Sequence, residues 1–594
     1  MNFINPNDLI MIEGVPPKAV RGDKVSIDTE FFGQEKRRLH RPHGRFAYLG
    51  CSFDGKTVYY TTKESDIQSF LDLLDDAVWI FVNAKYDITQ LRRFARISRR
   101  KKLWDCMLIE QIMYSGYYTD FSLADLARRY LGVYLTKEVR ETFSEDDTAS
   151  LSREQSEYAC VDVAATWRVY KEQRAIIDED DLSVWKHIEL PFLWALLGMR
   201  GCKIDKEGWI SLCEKNYEDA LSIQRKYMDN PEILDEMSLE EAKKSRKFSG
   251  LNLASTNQVS ERLKELGAKV KGITKGGAMS TQEDDLRPFI DVPFVKDVLE
   301  FRGKMKLAST YGRGWIERGY IEPDGRVYSD FKQIGAATGR LSSSDPNVEN
   351  IPVRDTGDFR RLFVADDGKV LIDADWSAQE PRIFAYQSQD ELLLKIFRDK
   401  KDVYLEAGRL MFGWEMDKKD PRRKERMKPT VLGAAYGLTE YGMEKKYGIP
   451  KEEGKKLMDV FFSTFEGAAR YKKEQLAKTS YVQTIYGRKF WLNIYERNYE
   501  NNALNSPTQG SAADAMKIAG ALFYSAVEDA GLSDFVYVIN YVHDEILIEC
   551  DKKYLDWAMN ILKDIMISVA EDMHKGIPAD VEIGYGRTWA EAHS

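Results

Sequence analysis

Asp28 and Glu30 stand two apart in SIDTEFF, Asp87 closes FVNAKYD, and Tyr158 and Asp162 stand four apart in EYACVDVAATW. Two positions apart on a strand puts side chains on one face. Four apart on a helix puts them on one side. Four carboxylates converging on one place would repel one another unless divalent cations neutralised them. A two-metal phosphodiester hydrolase uses such a set: one ion makes a hydroxide and the other steadies the leaving oxygen. Hard oxygen ligands suit Mg²⁺ or Mn²⁺. Any one of these aspartates read alone is a helix cap or a surface charge. The ordered set DxE, NxxxD and YxxxD is far more specific.

A second set lies further along. Asp375 follows a buried apolar run in VLIDADWSAQEPRI, and Asp544 sits in YVHDEILIE. Two aspartates at strand edges, distant in sequence, could share a metal pair. Between them, in KERMKPTVLGAAYG, Lys424, Lys428, Leu432 and Tyr436 recur every four residues. On a helix that spacing drifts only ~40° per step, so the four form one slanting face. Cations at one end would take phosphates, and the aromatic ring at the other would sit near bases. An apolar and aromatic stripe alone is more often core packing. The segments ATGRLSSSDPNVENIP (Ala337 to Pro352) and NSPTQGSAADAMK (Asn505 to Lys517) raise the specificity.

The elements needed to position these groups are legible in outline. The first ~180 residues read as α/β. Lys24 to Ile27 and Val78 to Val82 are strands, Asp28 and Glu30 end the first, and amphipathic helices follow each. From Val184 to Gly319 the pattern is helical. Ala254 to Leu266 places Val259, Leu263 and Leu266 on one face, with Ser255 as N-cap and Gly267 as stop. Beyond Tyr328 strands and helices mix. Val370 to Ile372 is a buried strand, and Val536 to Cys550 reads as two strands around a turn at His543-Asp544.

Composition excludes other classes. The 594 residues are 43% hydrophobic and 12% aromatic, too apolar for a disordered chain. No run of eighteen apolar residues suggests a membrane span, and MNFINPNDLIMIEG lacks the pattern of a secretory signal. Six scattered cysteines without a CxxC suggest free thiols and no structural zinc. The balance of 87 basic against 96 acidic residues gives −9, a weak argument against nucleic acid that a local basic surface can override. Two basic runs stand out, Arg92 to Lys102 and Lys418 to Lys428; most such runs are solvated faces.

The N-terminal set resembles the 3′–5′ proofreading exonuclease of the DEDD superfamily in its tyrosine-bearing subclass. The resemblance implies Asp28, Glu30 and Asp162 as metal ligands, Asp87 as a supporting carboxylate, and Tyr158 as the group orienting the attacking water. From there to the terminal GYGRTWAEAH, the chain resembles a family A DNA polymerase. The implied fold is multidomain: an α/β ribonuclease-H-like exonuclease, then a right-hand polymerase with helical thumb and fingers and an α+β palm built on an antiparallel sheet. The expected division is 1–180 exonuclease, 181–335 mainly thumb with the start of the palm, and 336–594 palm with fingers inserted at about 390–470.

The resemblance also implies roles. Asp375 and Asp544 would bind two Mg²⁺ ions, with Mn²⁺ able to substitute, and the Trp376 carbonyl would help. Lys428 would contact the triphosphate and protonate the departing pyrophosphate. Tyr436 and Gly437 would sit where the templating base enters. Glu380 matches the gate that excludes a ribose 2′-OH. Arg340, Asn505 and Gln509 match donors near the primer–template minor groove, and His543 would lie near the primer terminus. The expected ligands are primer–template DNA and dNTPs. A helicase and a single-strand-binding protein are candidate partners. No membrane is implicated, and a monomer in the cytoplasm is expected, the host cytoplasm if a phage encodes it.

Several positions depart from the family pattern. Lys424 replaces the usual arginine and cannot make a bidentate phosphate fork; Arg423 and Arg426 lie nearby. Leu432 stands where many members carry Phe or Tyr. Pro429 should start or kink the helix at Lys428. Tyr404 stands at a frequent histidine position near the phosphates, where its hydroxyl could donate. WSAQEPR and Leu432-Gly433 look phage-type. No room is seen for an N-terminal 5′-nuclease, and the short 252–281 stretch predicts no thioredoxin-type clamp. The rival readings are a single-subunit RNA polymerase, opposed by Glu380 and the exonuclease, and a nuclease or scaffold with a silent polymerase half, opposed by Asp375, Lys428 and Asp544.

Overall fold

A computed structural model describes residues 3–33, 43–135, 138–144, 150–244, 248–268, 270, 272–273, 279–351 and 359–593. Pro352 and parts of the 252–281 stretch lie outside the described residues.

The N-terminal sheet has six strands: β1 (Ile10–Glu13), β2 (Lys24–Phe32), β3 (Arg45–Ser52), β4 (Thr57–Thr61), β5 (Val78–Phe81) and β6 (Leu103–Asp105). Their order is β1-β4-β3-β2-β5-β6. β2 is antiparallel to β3 and parallel to β5. Asp28 and Glu30 lie within β2 rather than at its end. Phe31 and Phe32, each 1% exposed, carry the apolar burial past the carboxylates, with a bulge between Glu30 and Phe31. Among the described residues, antiparallel β3 is the next element after β2. A helix does follow β5, at Ala84–Leu91. Helix Arg153–Ile176, opened by a capping box of Ser152 and Gln155, packs across β2 and β3.

The middle of the chain is helical. Ser255 caps helix Thr256–Glu265 by accepting from the Gln258 N–H, and Gly267 ends it at φ +71°. Val259 and Leu263 are buried, but Leu266 is exposed, because it falls at the C-cap, past the last turn.

The C-terminal sheet is wholly antiparallel: β7 (Lys369–Trp376), β8 (Val536–Val542), β9 (Glu545–Asp551) and β10 (Val581–Gly586), in the order β8-β9-β7-β10. Its register sets Asp375 opposite Glu545. Helices Tyr499–Asp529 and Leu555–Met573 pack on it. All six cysteines are buried and free of disulfides, and no described helix is long and apolar enough to cross a membrane.

The N-terminal unit and the rest share a polar seam. Trp491 Nε1 donates to the Met113 carbonyl at 2.7 Å, Ser115 Oγ donates to the Ala337 carbonyl at 2.7 Å, and Lys489 pairs with Asp178 and Asp181. Arg99, from the first basic run, pairs with Asp529, and Lys101 turns inward to the Leu74 carbonyl at 3.0 Å. Beside this seam lies a fully buried ionic group. Glu189 meets Arg488 and Lys517 (2.6 Å to Lys517 Nζ), and Asp514 meets Arg488 at 2.7 Å. Burial lowers Lys517 to about 8, against the pull of Glu189. Removing one partner of such a group strands a buried charge. We therefore expect Glu189→Ala to cost about 3–5 kcal/mol, read as a lower urea midpoint; an unchanged midpoint would show that the seam does not depend on the group.

Candidate active sites

In the N-terminal unit, β2 and two helices bring all five predicted residues together. Asp28 and Glu30 are half-buried on one face of β2, while Thr29 between them is buried on the other. Asp87, 2% exposed, accepts from the Thr29 N–H at 3.1 Å and from Thr29 Oγ1 at 2.6 Å, so the strand itself grips it. Asp162 stands one helical turn on from Tyr158, whose side chain offsets part of the rise that burial imposes on that carboxyl.

Burial pushes every carboxyl up. Glu30 rises to about 8, Asp87 to about 7 and Asp162 to about 6. Asp28 rises well above its ordinary value, through burial first and then the charges of Glu30, Asp87 and Asp162. Asp28 Oδ2 is buried without a hydrogen-bond partner among the described residues. A crowded, oxygen-only donor set with an orphaned carboxylate oxygen fits a divalent cation.

The second site sits on β7 and the β8–β9 turn. Asp375 is half-buried, with Oδ1 lacking a partner among the described residues. Its carboxyl is pushed up to about 9 by burial, then by Asp544, Glu545, Asp373 and Glu582. Burial also raises Asp544, against the pull of Arg340, His543 and Lys428. This set likewise fits a divalent cation. Trp376 is anchored by its indole, which donates to the Met566 carbonyl at 2.9 Å, and that fixes the strand end. His543 holds the turn at φ +56°, and burial then Arg340 depress its imidazole.

After β7 the chain turns sharply through Ala378, at φ 50°, into helix Gln379–Ser388. That turn puts Glu380 in the first helical turn, where it is paired with Arg340. Asn505 and Gln509 are the half-exposed positions in the otherwise buried stretch 503–511 of helix Tyr499–Asp529.

The four-residue spacing from Lys424 works as expected. Lys424 and Lys428 are exposed and Leu432 and Tyr436 half-exposed, while Met427, Pro429 to Val431 and Gly433 to Ala435 are buried. The backbone at Pro429 differs from the expectation. Lys428 is right-handed α (φ −59°, ψ −48°) and continues from a π turn over Arg423–Met427, with its N–H donating to the Arg423 carbonyl. The wider turn accommodates the proline, which has no N–H to give. The Thr430 hydroxyl donates to the Arg426 carbonyl at 2.7 Å, and Arg426 Nη1 to that of Glu425 at 3.2 Å. Gly437 ends helix Lys428–Tyr436 at φ +67°, and a Cβ there would lie 2.7 Å from Leu504 Cδ1.

Within the second basic run, Arg423 pairs with Asp402 and Arg426 with Glu453. Lys424 makes no ion pair among the described residues. Tyr404 is 8% exposed in the helical core, with Arg423 over its ring at 5.2 Å, and burial pushes its hydroxyl up to about 12. Asp402, Arg423 and Glu380 of the candidate site all act on that hydroxyl.

Residues 227–591 match the model of DNA polymerase family A. The chain belongs to that family. Residues 16–178 match a 3′–5′ exonuclease model. DNA polymerase I of Pseudomonas aeruginosa is 30% identical over 564 residues, 89% of this chain and 58% of that protein. The thermostable DNA polymerase I of Thermus aquaticus is 32% identical over 357 residues, 57% of this chain and 42% of that one. The chain thus spans about half the length of these relatives. A structure described as the POL domain of Pol1 from M. smegmatis in complex with DNA primer-template and dNTP superposes with a TM-score of 0.78 at 25% identity, covering 98% of this chain and all of that one. The family A fold is therefore present with its exonuclease unit, a helical thumb and fingers, and an antiparallel palm sheet.

Sequence reasoning did not single out three features of these sites. Arg140, in KEVRETF, acts electrostatically on Glu30, Tyr158, Asp162 and Asp28. Lys446 lies over the Tyr436 ring at 5.6 Å and acts on Glu380. Asp373, Glu545 and His593 bring donor atoms within 4.8 Å of one another. Arg360 (3.2 Å to Glu545) and His593 (2.6 Å to Asp373), the latter raised by that hydrogen bond, already balance the two carboxylates, so the group needs no ion. No motif flags any of these, because each pairing joins distant segments.

Proposed function

We propose that this family A member is a template-directed DNA polymerase that adds dNTPs to a primer 3′-OH and removes misplaced 3′ nucleotides at the separate exonuclease site. The observation that carries the reading is the meeting of Asp375 and Asp544, with an Asp375 oxygen buried without a partner among the described residues and Lys428 acting on Asp544. Two Mg²⁺ ions, or Mn²⁺, would be held by Asp375, Asp544 and the Trp376 carbonyl, and a second pair by Asp28, Glu30 and Asp162. When bound, such ions lower the pKa of a hydroxyl or water and offset charge on the reacting phosphate.

The side chains supply the rest. Lys428 contacts the triphosphate and gives a proton to the departing pyrophosphate. Lys424 takes the γ-phosphate, since Arg423 and Arg426 are already paired. Leu432 lies by the incoming sugar, and Tyr436 and Gly437 border the templating base. Arg340, Asn505, Gln509 and His543 line the primer–template path. At the exonuclease, Tyr158 orients the attacking water and Asp87 supports the ligands.

Residues 1–180, 181–335 and 336–594 would act as exonuclease, thumb and palm, with fingers at about 390–470. The relatives named above are bacterial. WSAQEPR and Leu432-Gly433 support replication of a phage genome, as a monomer in the host cytoplasm, with a helicase and single-strand-binding protein and without a thioredoxin-type clamp.

The test is extension of a 5′-labelled primer with dNTPs or rNTPs, by wild type and Glu380→Ala. Wild type should extend with dNTPs only and shorten the primer without nucleotides. Removing the Glu380 carboxylate should relax ribonucleotide exclusion by about 10²-fold in kcat/KM ratio. Wild-type extension with rNTPs would favour an RNA polymerase. Shortening without extension would mean a silent polymerase half.

A further inference from the structure

The exonuclease carboxylates are overlooked by a short segment that no motif marks. Helix Glu138–Glu141 and the turn after it lie against β2 and helix Arg153–Ile176. The segment is pinned at its far end. The Gly33 N–H donates to the Phe143 carbonyl at 3.1 Å, and Gln155 Nε2 donates to Thr142 Oγ1 at 2.9 Å. The Phe143 ring stacks on Phe32 at 5.5 Å and lies 6.3 Å from Tyr158, the water-orienting candidate.

Arg140 projects from this pinned segment. Its charge is felt by Glu30, Tyr158, Asp162 and Asp28 together. Yet it is exposed and makes no hydrogen bond or ion pair among the described residues. A guanidinium that only neutralised these acids would close onto one of them in a bidentate pair. This one pairs with none of them among the described residues, although all of them feel its charge.

We propose that Arg140 is a catalytic residue of the exonuclease reaction, binding the non-bridging oxygens of the scissile phosphodiester. The inference rests on the exonuclease reading and adds a substrate contact to it. The carboxylates repel the phosphate as well as one another, so the approach of an anion needs a cation at the entrance. During hydrolysis the attacked phosphate gains negative charge on its equatorial oxygens, and a planar fork of donors stabilises that charge more than the ground state. Arg140 takes and gives no proton; the water's proton and the leaving 3′-oxygen are handled by the other groups.

The test compares Arg140→Met and Arg140→Lys in the whole chain. Digestion of a single-stranded oligonucleotide should fall by about 10²–10³-fold in kcat for Arg140→Met, with partial recovery in Arg140→Lys. Primer extension and the thermal midpoint should stay at wild-type values. With Ca²⁺ replacing Mg²⁺, the salt slope of oligonucleotide binding should shrink by about 0.7 in Arg140→Met, because one phosphate of the single strand is no longer neutralised. An unchanged slope, with only the pH profile of digestion moved, would make Arg140 a positioning residue that tunes the carboxylates and would overturn the proposal. Digestion at the wild-type rate in Arg140→Met would overturn it too. Asp28→Ala separates the two levels. If that variant still digests, the exonuclease reading fails; if it is dead while Arg140→Met is active, only the role of Arg140 fails.

Discussion

Asp375→Ala should abolish primer extension, by ~10⁴-fold or more in single-turnover rate, and leave 3′ digestion at the wild-type rate. The asymmetry follows from the fold. Asp375 sits on the C-terminal sheet, while the exonuclease carboxylates sit on β2 and its covering helices in the N-terminal unit. Loss of both activities would sink the two-site reading. The variant should also be more stable than wild type without metal. The Asp375 carboxyl is held at about 9, far above its value in an unfolded chain. The folded protein therefore binds that proton more tightly than the unfolded one. Stability then falls as pH rises from about 4 towards about 9. Alanine removes the effect, so the gain in thermal midpoint should be larger at pH 8 than at pH 5. Equal midpoints at both values would show that the crowding carries no strain.

The converse is the double substitution Asp28→Ala, Glu30→Ala. It should reduce release of 3′ nucleotides by ~10⁴-fold or more and leave extension on a matched primer unchanged. Both side chains leave one face of β2, and Thr29, which grips Asp87, stays in place. Asp87 and Asp162 alone cannot hold two cations. A mismatched primer end should then persist where wild type removes it. Strong residual digestion would place the hydrolytic centre elsewhere in the chain.

The carboxylates were legible because their spacing is local. Strand alternation pairs Asp28 with Glu30, and one helical turn joins Tyr158 to Asp162. The Lys428 face was legible for the same reason. The length of β2 was not, since Phe31 and Phe32 extend it only because β3 supplies a partner. Pro429 argued for a break that the π turn absorbs, and nothing in KERMKP announces a π turn. The Arg340–Glu380 pair, the buried group around Glu189, and the placement of Arg140 all join segments far apart in sequence. They depend on tertiary packing, which spacing rules do not reach.

The polar seam has a consequence for how such an enzyme can be cut. Trp491 and Lys489 belong to the polymerase half by sequence, yet they find partners on Met113 and Asp178 of the N-terminal unit. Severing the chain near residue 180 would therefore bare a face made for covering, with the Trp491 indole left without its carbonyl and the Lys489 ammonium left with one of its two carboxylates. The two catalytic halves are not interchangeable cassettes. To silence the proposed nuclease, changing two side chains on β2 disturbs less than discarding the unit that carries them.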